Sequence, residues 1–422
     1  MKVEIISIGD ELLIGQVINT NASWMATELN KIGLSVVKIT AISDSKNDIN
    51  QSIKDAEINA DIILLTGGLG PTKDDITKHV LAEYFDSKMI FHEPTYKQVV
   101  SIFAKRRFVV SDVNKKQAEI PEKCIPLFNA HGTAPGMWFE KNDKVIVSMP
   151  GVPFEMKTLL TNEVIPRLQA KYKLSFIFHK TIMTTGVGES ALAEKIEDWE
   201  ISLPNNIKLA YLPQPGIVRL RLSASGKNKY EIENMVLAKC KELKSIIPNI
   251  IFGYDDISLE EVVGKQLNSL KLSLSTAESC TGGYIAHLIT SIAGSSSYFK
   301  GSIVSYSNEV KENQLGVNSS TLIEKGAVSR EVIEQMALGG RTKLKTNYCI
   351  ATSGIAGPEG GSTDKPIGTI WIALATPTGV KSKLYHFGEH RGRNIRRSAL
   401  MALNMLRLEL KELTDMHDDN CN

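Results

Sequence analysis

The segment Thr276-Ala277-Glu278-Ser279-Cys280-Thr281-Gly282-Gly283 holds the residue types best suited to covalent chemistry in this chain. An alternating strand pattern with Leu272 and Leu274 leads into it, and the helical spacing Ile285, Ala286, Leu288, Ile289 follows. A serine at a strand-to-helix turn can present its hydroxyl above a sheet, and the next backbone N–H groups, Cys280 to Gly283, can stabilise an oxyanion. The hydroxyl also needs a base. His287 falls inside the following helix, and His386 and His390 have no marked acidic partner. Lys311, just after the strand pattern at residues 301–305, is the better candidate, because Ser–Lys dyads are an established form of nucleophile activation. Lys311 also reads as a solvated helix residue, and Cys280 as a rival nucleophile whose thiol pKa a helix amino end would lower.

A second group of chemically able residues lies near the amino terminus. Gly9-Asp10-Glu11 follows the first strand pattern, with Asn19-Thr20-Asn21 beyond it, and Thr66-Gly67-Gly68-Leu69-Gly70-Pro71-Thr72-Lys73-Asp74-Asp75 follows a later one. Glycines admit backbone N–H groups to a phosphate, and Asp10, Glu11, Asp74 and Asp75 supply hard oxygens of the kind that hold Mg²⁺ together with substrate phosphates. A Gly-rich turn is also an ordinary turn, and acids at helix starts are ordinary dipole partners. Two such clusters on matching strand ends favour a site. Residues 149–156, Met-Pro-Gly-Val-Pro-Phe-Glu-Met, again follow a strand and read either as ligand contact or as a rigid helix start. Ser353-Gly354-Ile355-Ala356-Gly357-Pro358 forms a comparable loop after residues 348–352, and Arg391, Arg393, Arg396 and Arg397 gather at the start of the last helix. A nucleotide monophosphate suits a bidentate Arg, although such a helix is commonly a solvated face.

These residues need elements to hold them. In the amino-terminal region, residues 3–8, 35–40, 61–66 and 145–149 read as strands, and residues 21–32, 47–59 and a stretch from 76 as helices. That alternation predicts a mostly parallel sheet covered on both faces. Phe176–Thr185, residues 189–200, 207–212, 217–224 and 230–245 read as strand, helix, two strands and helix, with Pro213-Gln214-Pro215-Gly216 turning the strand pair. The result is a small α+β module of KH-like shape. KH recognition of nucleic acid needs a GxxG clamp, for which Gly186-Val187-Gly188-Glu189 is the nearest candidate, and a spacer or dimerisation module is the favoured reading. Residues 248–256 look like a linker, α/β alternation resumes at Ile257 and runs to Leu413, and residues 415–422 read as a frayed polar tail.

At 422 residues the chain is too long for one core, and its apolar and charged fractions, 42% and 23%, are those of a globular protein. A formal charge of +2 gives no field that would make nucleic acid the main partner. No apolar run approaches the ~20 residues needed to span a bilayer, and the amino terminus lacks a signal-peptide pattern. Cys124, Cys240, Cys280, Cys349 and Cys421 are scattered, with no CxxC spacing, and read as reduced thiols of a cytoplasmic protein without a zinc site.

GDELLIGQVINTN, TGGLGPTKDDIT, GTAPGM and MPGVPFEM resemble the amino-terminal domain of the CinA family, itself similar to molybdopterin-binding domains of the MoaB/MogA type. The resemblance implies hydrolysis of ADP-ribose dependent on Mg²⁺ or another divalent metal. Carried over residue by residue, it implies Asn19, Asn21, Gly67, Gly68, Gly70, Pro71 and Thr72 around the substrate and Asp10, Glu11, Asp74 and Asp75 around the metal. The shared fold keeps a pterin ligand open. TAESCTGGYIAHLITSIAGSSSYFKGSIVSYSNEVK, KGAVSREV and TSGIAGPEGGSTDKPIGTIWIAL resemble the CinA carboxy-terminal domain, which is similar to stand-alone nicotinamide-nucleotide amidases. Those enzymes convert nicotinamide mononucleotide to nicotinic acid mononucleotide and ammonia. This second resemblance implies Ser279 as nucleophile, Lys311 as base and no cofactor. It implies Glu278, Cys280, Thr281, Gly282, Gly283, Tyr306, Ser353, Gly354, Gly357 and Arg396 around the substrate. Where many relatives carry Thr, position 353 is Ser. The spacing from Phe387 to Arg396-Arg397 is one residue longer than usual, which leaves open which Arg reaches the substrate.

The expected protein is a multidomain α/β hydrolase with a molybdopterin-binding-like α/β domain at 1–172, a small α+β KH-like domain at 173–250 and an α/β CinA carboxy-terminal amidase domain at 255–414. It is expected to be a cytoplasmic homodimer acting on small nucleotides, without membrane or nucleic-acid partners. The alternative from another class is a non-catalytic pterin- or nucleotide-binding protein acting through partners in competence or DNA repair.

Overall fold

The computed structural model describes residues 1–72, 74–105 and 107–419, so Lys73 and Cys421 lie outside the described residues. The chain divides into two compact units, residues 1–178 with 225–232 and residues 179–224 with 233–422.

The first unit is built on a six-stranded sheet in the order Ser35–Ile42, Lys2–Ile8, Ile62–Thr66, Lys144–Met149, Gly136–Lys141, Ile125–Leu127. The first four strands are parallel, Gly136–Lys141 runs against them and Ile125–Leu127 runs with them again, so the sheet is mixed but mostly parallel, as expected. The reversal has a local cause. Asn142 and Asp143 both take positive φ, 51° and 62°, and form a two-residue hairpin of the primed kind, which reverses the chain into the next strand. Ile62–Thr66 is buried along its whole length, as a strand covered on both faces must be. Its alternate side chains feed two cores. Ile62 and Leu64 pack with Met25 and Leu29 of helix Thr20–Lys31, and Ile63 and Leu65 with Ile49 and Ile53 of helix Lys46–Asn59. Full burial of each such side chain contributes about 1.5–3 kcal/mol.

A four-stranded sheet, most of it in the second unit, runs in the order Ile207–Gln214, Ile217–Gly226, Phe176–Thr185, Ile251–Tyr254, with helices Glu189–Ile201 and Lys229–Ile246. The expected linker at 248–256 is therefore partly a strand. Ile251 and Phe252 are buried, and the segment pairs antiparallel with Phe176–Thr185. Its four residues sit between Pro248 and Asp255-Asp256, and that flanking composition disguised it.

A five-stranded sheet follows in the order Phe299–Val304, Leu274–Glu278, Tyr348–Gly354, Thr369–Thr376, Gly379–His386. The first three strands are mutually parallel, Thr369–Thr376 runs against them and Gly379–His386 pairs antiparallel with it. Helices Leu259–Leu270 and Arg391–Asp419 cover one face and Arg330–Leu344 the other. The second face is lined by Ala277, Ala351, Ala373 and Ala375, so its helix sits close. A Cβ on Gly340 would lie 2.6 Å from Cys349 Sγ. The last helix continues to Asp419, past the expected fraying point at 415. No helix among the described residues is long and apolar enough to cross a membrane.

Candidate active site

The serine turn forms where strand Leu274–Glu278 ends. Its parallel neighbours deliver Ser305 and Ser353 to the same edge of the sheet. Ser279 N–H donates to Thr352 O at 2.9 Å, which fixes the turn to the central strand. Lys311 comes from helix Asn308–Leu315, whose N-cap Ser307 accepts from Val310 N–H. Only 1% of Lys311 is exposed, so it is not the solvated helix residue its spacing allowed. Its Nζ lies 3.1 Å from Ser279 Oγ and 2.7 Å from Ser305 O, with Tyr306 O at 3.5 Å. Burial pushes its pKa below the ordinary lysine value. A neutral amine that donates N–H bonds to two carbonyls keeps its lone pair for the Ser279 hydroxyl.

Glu278 is expected to touch substrate, and the geometry corrects this. The residue is fully buried, and its two oxygens accept from the N–H groups of Gly283, Ile285 and Ala286 and from the hydroxyls of Thr276 and Thr281. It anchors the turn to the start of helix Tyr284–Thr290. The set of oxyanion donors narrows accordingly. Gly283 N–H is spent on Glu278 and Gly282 N–H on Ser279 O, whereas Cys280 and Thr281 N–H have no acceptor among the described residues. The Thr281 hydroxyl is buried against Glu278 and Thr352, so only its backbone is free for a substrate. Cys280 is buried too, and burial pushes its thiol up to about 12, against the lowering expected at a helix start. Its thiolate is therefore suppressed at neutral pH. The four described cysteines are all buried and unpaired.

Around this centre, Tyr306 is exposed and its hydroxyl accepts from Arg391 Nη2 at 3.0 Å, while Arg391 Nη1 donates to Gly357 O at 2.8 Å. Arg391 reaches the second loop, while Arg396 was expected around the substrate. Arg396 forms no hydrogen bond or ion pair with any described residue. Ser353 is buried and its hydroxyl donates to Ala327 O, so this side chain braces the loop where substrate contact was expected. Gly354 ends its strand, and Gly357 takes φ 88° in the loop. Ser305 escaped the sequence reading, whereas Arg391 was one of the four arginines it left open. The strand order alone would have put Ser305 beside Ser279.

In the first unit, three parallel strands end in the predicted clusters. Gly67 N–H donates to Met149 O, and a Cβ on Gly67 would lie 2.2 Å from Ile8 O, so glycine at 67 is required by packing as well. Asn19 caps helix Thr20–Lys31 and bonds Ser7, and Asn21 Nδ2 donates to Gly151 O. The buried Oδ1 of Asn21 has no partner, and the residue lines a small cleft of about 130 Å³ with Glu11, Asn19, Thr66 and Gly151. The loop residues Gly68, Gly70, Pro71 and Thr72 lie outside this cleft's lining.

The expected carboxylates separate. Asp75 accepts from Thr72 N–H and hydroxyl, while Asp74 is fully exposed, its pKa lowered first by the Thr72 hydroxyl. An unpredicted acid, Asp44, faces Asp10, whose N–H it accepts at 3.2 Å. Burial raises the Asp44 pKa, and the charges of Asp10, Glu11 and Asp75 add to the rise against that hydrogen bond. Asp44 was findable, because it follows the strand parallel to Lys2–Ile8. Among the described residues no three His, Cys, Asp or Glu side chains gather to hold a metal. Mg²⁺ is commonly held by one or two carboxylates plus substrate phosphates, and a cation would relieve the repulsion at Asp44. The donor set thus fits an ion shared with phosphates and not a preformed cage.

Comparison with known proteins then gives the family. Residues 4–170 match a probable molybdopterin binding domain, 179–253 the damage-inducible protein CinA KH domain and 256–410 the CinA C-terminal domain. A CinA-like protein of Flavobacterium psychrophilum is 50% identical over 97% of this chain and 99% of its own length. One from Cytophaga hutchinsonii is 43% identical over 97% and 98%. The crystal structure of competence/damage inducible protein CihA from Agrobacterium tumefaciens is 39% identical, covering 36% of this chain and 93% of that one at a TM-score of 0.35. Matched nearly end to end by the two CinA-like proteins, the chain belongs to the CinA family.

Proposed function

We propose that this chain is a bifunctional nucleotide hydrolase: a Ser–Lys amidase converting nicotinamide mononucleotide to nicotinic acid mononucleotide and ammonia, and a metal-dependent ADP-ribose pyrophosphatase. The observation that carries the first activity is the buried Lys311 Nζ at 3.1 Å from Ser279 Oγ. Neutral Lys311 takes the hydroxyl proton as Oγ attacks the carboxamide carbon. The oxyanion lies against Cys280 and Thr281 N–H. Collapse expels ammonia, which takes its third proton from the Lys311 ammonium, and leaves an ester on Ser279. Lys311 then deprotonates a water that hydrolyses the ester, giving the acid and the free serine. No metal enters any step.

The second activity is supported by the cleft at three parallel strand ends and by the acids beside it. Asn19, Asn21 and the Gly67–Gly68 turn would bind the nucleotide, with Asp10, Glu11, Asp44 and Asp75 facing the cation. When bound, a divalent ion neutralises the pyrophosphate and activates it as an electrophile. The exposed carboxylates also support a second reading, in which this domain binds a nucleotide or pterin without cleaving it.

One experiment tests both readings. Purified protein is incubated with nicotinamide mononucleotide and with ADP-ribose, each with Mg²⁺ and with EDTA, and products are separated by chromatography. Ammonia release that persists in EDTA, and ADP-ribose cleavage that stops in it, are expected. Metal-dependent ammonia release would sink the Ser–Lys mechanism, and intact ADP-ribose under all conditions would leave the first domain as a binder.

A further inference from the structure

Away from Ser279, the second unit contains a cleft of about 580 Å³ that no step above uses. One wall is the turn Gly186-Val187-Gly188 and the start of helix Glu189–Ile201, the other the end of strand Gly379–His386 and the first turns of the last helix. Arg393 and Arg397, four apart on that helix, both line it, and neither guanidinium has a hydrogen bond or ion pair among the described residues. Arg397 instead has its Cζ 4.4 Å from the centroid of the Phe387 ring, and Tyr385 stands beside Phe387 with ring centroids 5.6 Å apart. Gly188 caps the facing helix without a side-chain acceptor for its first N–H groups. Glu189 is the only carboxylate among the lining residues.

These features demand one kind of ligand. Two unpaired guanidiniums and a row of uncapped N–H groups call for a compact anion with several oxygens, and a phosphate monoester matches the guanidinium fork. The half-buried Tyr385 ring, over which Lys383 Nζ sits at 5.3 Å on one side, and the neighbouring Phe387 ring offer an aromatic wall on which a heteroaromatic ring stacks. The volume is that of a small-molecule site. We infer that this cleft binds a mononucleotide, the phosphate on Arg393 and Arg397 and the base on the aromatic wall, as a second site separate from Ser279. Asn394, between the two arginines, is buried and donates to Ala356 O and Gly388 O, and Arg391 holds Gly357 O. A ligand here therefore rests on the same helix start that braces the second loop of the serine site. The inference does not depend on the amidase assignment, because its readout is binding.

The probe is AMP, which has no carboxamide, titrated calorimetrically into the full chain. Combined Arg393→Ala and Arg397→Ala substitutions should weaken one AMP binding event by at least about tenfold, the cost of losing charge-assisted phosphate contacts. Glu189→Gln, which removes the one opposing charge and threatens no core, should tighten the same event. Adenosine and inorganic phosphate should each compete poorly. AMP isotherms unchanged by both sets of substitutions would overturn the site. Adenosine binding as tightly as AMP would refute the role of the arginines, and phosphate binding as tightly would refute the nucleotide.

Discussion

Both candidate sites lie at the carboxyl ends of parallel strands, but one is dry and the other wet. Around Ser279 the polar groups are buried and already committed. Glu278 accepts from three backbone N–H groups, and Lys311 Nζ is enclosed within hydrogen-bonding reach of the serine hydroxyl. Around the Gly67 loop, Asp10, Glu11 and Asp74 are exposed, and the like charges at Asp44 are not compensated by any ion pair with a described residue. Burial lets a site lower a lysine pKa and hold a nucleophile without help, because each charge state is set by the protein itself. An exposed acidic site cannot do this and depends on what the substrate brings. The first arrangement suits covalent catalysis by side chains, the second a cation shared with phosphates.

The largest effect that could break this contrast is at the nucleophile. Ser279→Ala should lower amidase kcat by about 10⁴-fold or more, as for other catalytic serines, while Cys280→Ala leaves most of the rate. Rates are compared at saturating nicotinamide mononucleotide, and the reverse pattern would make this a thiol enzyme. Next, Lys311→Arg should cost on the order of 10²–10⁴-fold, the usual range for a general base, because guanidinium stays protonated. The pH profile gives the sign. The active form is the neutral amine, so kcat/KM rises with pH through the Lys311 pKa, and burial moves that rise below the ordinary lysine range. An unshifted rise, or an active Arg variant, would reduce Lys311 to a bystander.

For the wet site, Asp44→Asn should reduce ADP-ribose cleavage on the order of 10²-fold, the scale of losing one electrostatic contributor, with Asp74→Ala far milder and amidase activity unaffected by either. Stability should move the other way. Because the folded-state pKa of Asp44 is raised, its charged form destabilises the fold above that pKa, and the penalty fades as pH falls through it. Asp44→Asn should therefore raise Tm at pH 7 and lose that advantage in acid. A lower Tm at pH 7 would show that Asp44 is structurally paired.

Glu278→Gln sharpens the dry side. It turns one acceptor into a donor facing N–H groups, leaving buried donors unpaired at about 1–3 kcal/mol each. Tm should fall, and kcat should drop roughly tenfold with KM nearly constant, since the turn that aims Ser279 loosens while the substrate surface stays. A rise in KM alone would return Glu278 to the substrate.

What the sequence made legible follows the same divide. The strand ends, the glycine turns and the pairing of Ser279 with Lys311 were readable, because they rest on local patterning and on a motif. The role of Glu278 was not, because a carboxylate beside a nucleophile looks the same whether it faces substrate or backbone. Only burial distinguishes the two. Asp44 lay 34 residues from its partner Asp10 and became visible only through strand order. The strand Ile251–Tyr254 was hidden by its four-residue length between turn-forming neighbours.

The smallest predicted effect tests the rim that joins the dry site to solvent. Arg391 bridges Gly357 O and the Tyr306 hydroxyl, two groups 51 residues apart in the chain. Its planar fork makes both bonds at once, which a lysine ammonium on a flexible stem does not reproduce in the same geometry. Arg391 is exposed, so each bond is worth little net free energy, about 1 kcal/mol. Arg391→Lys should accordingly raise KM for nicotinamide mononucleotide by about fivefold and leave kcat within a factor of about two. Tyr306→Phe removes one of the two bonds and should give a smaller shift in the same direction. Combining the substitutions should add little, because both break the same bridge. If Arg396→Lys raised KM instead and Arg391→Lys did not, the phosphate contact would belong to the helix face one turn further on, and the bridge would be a strut without contact to substrate.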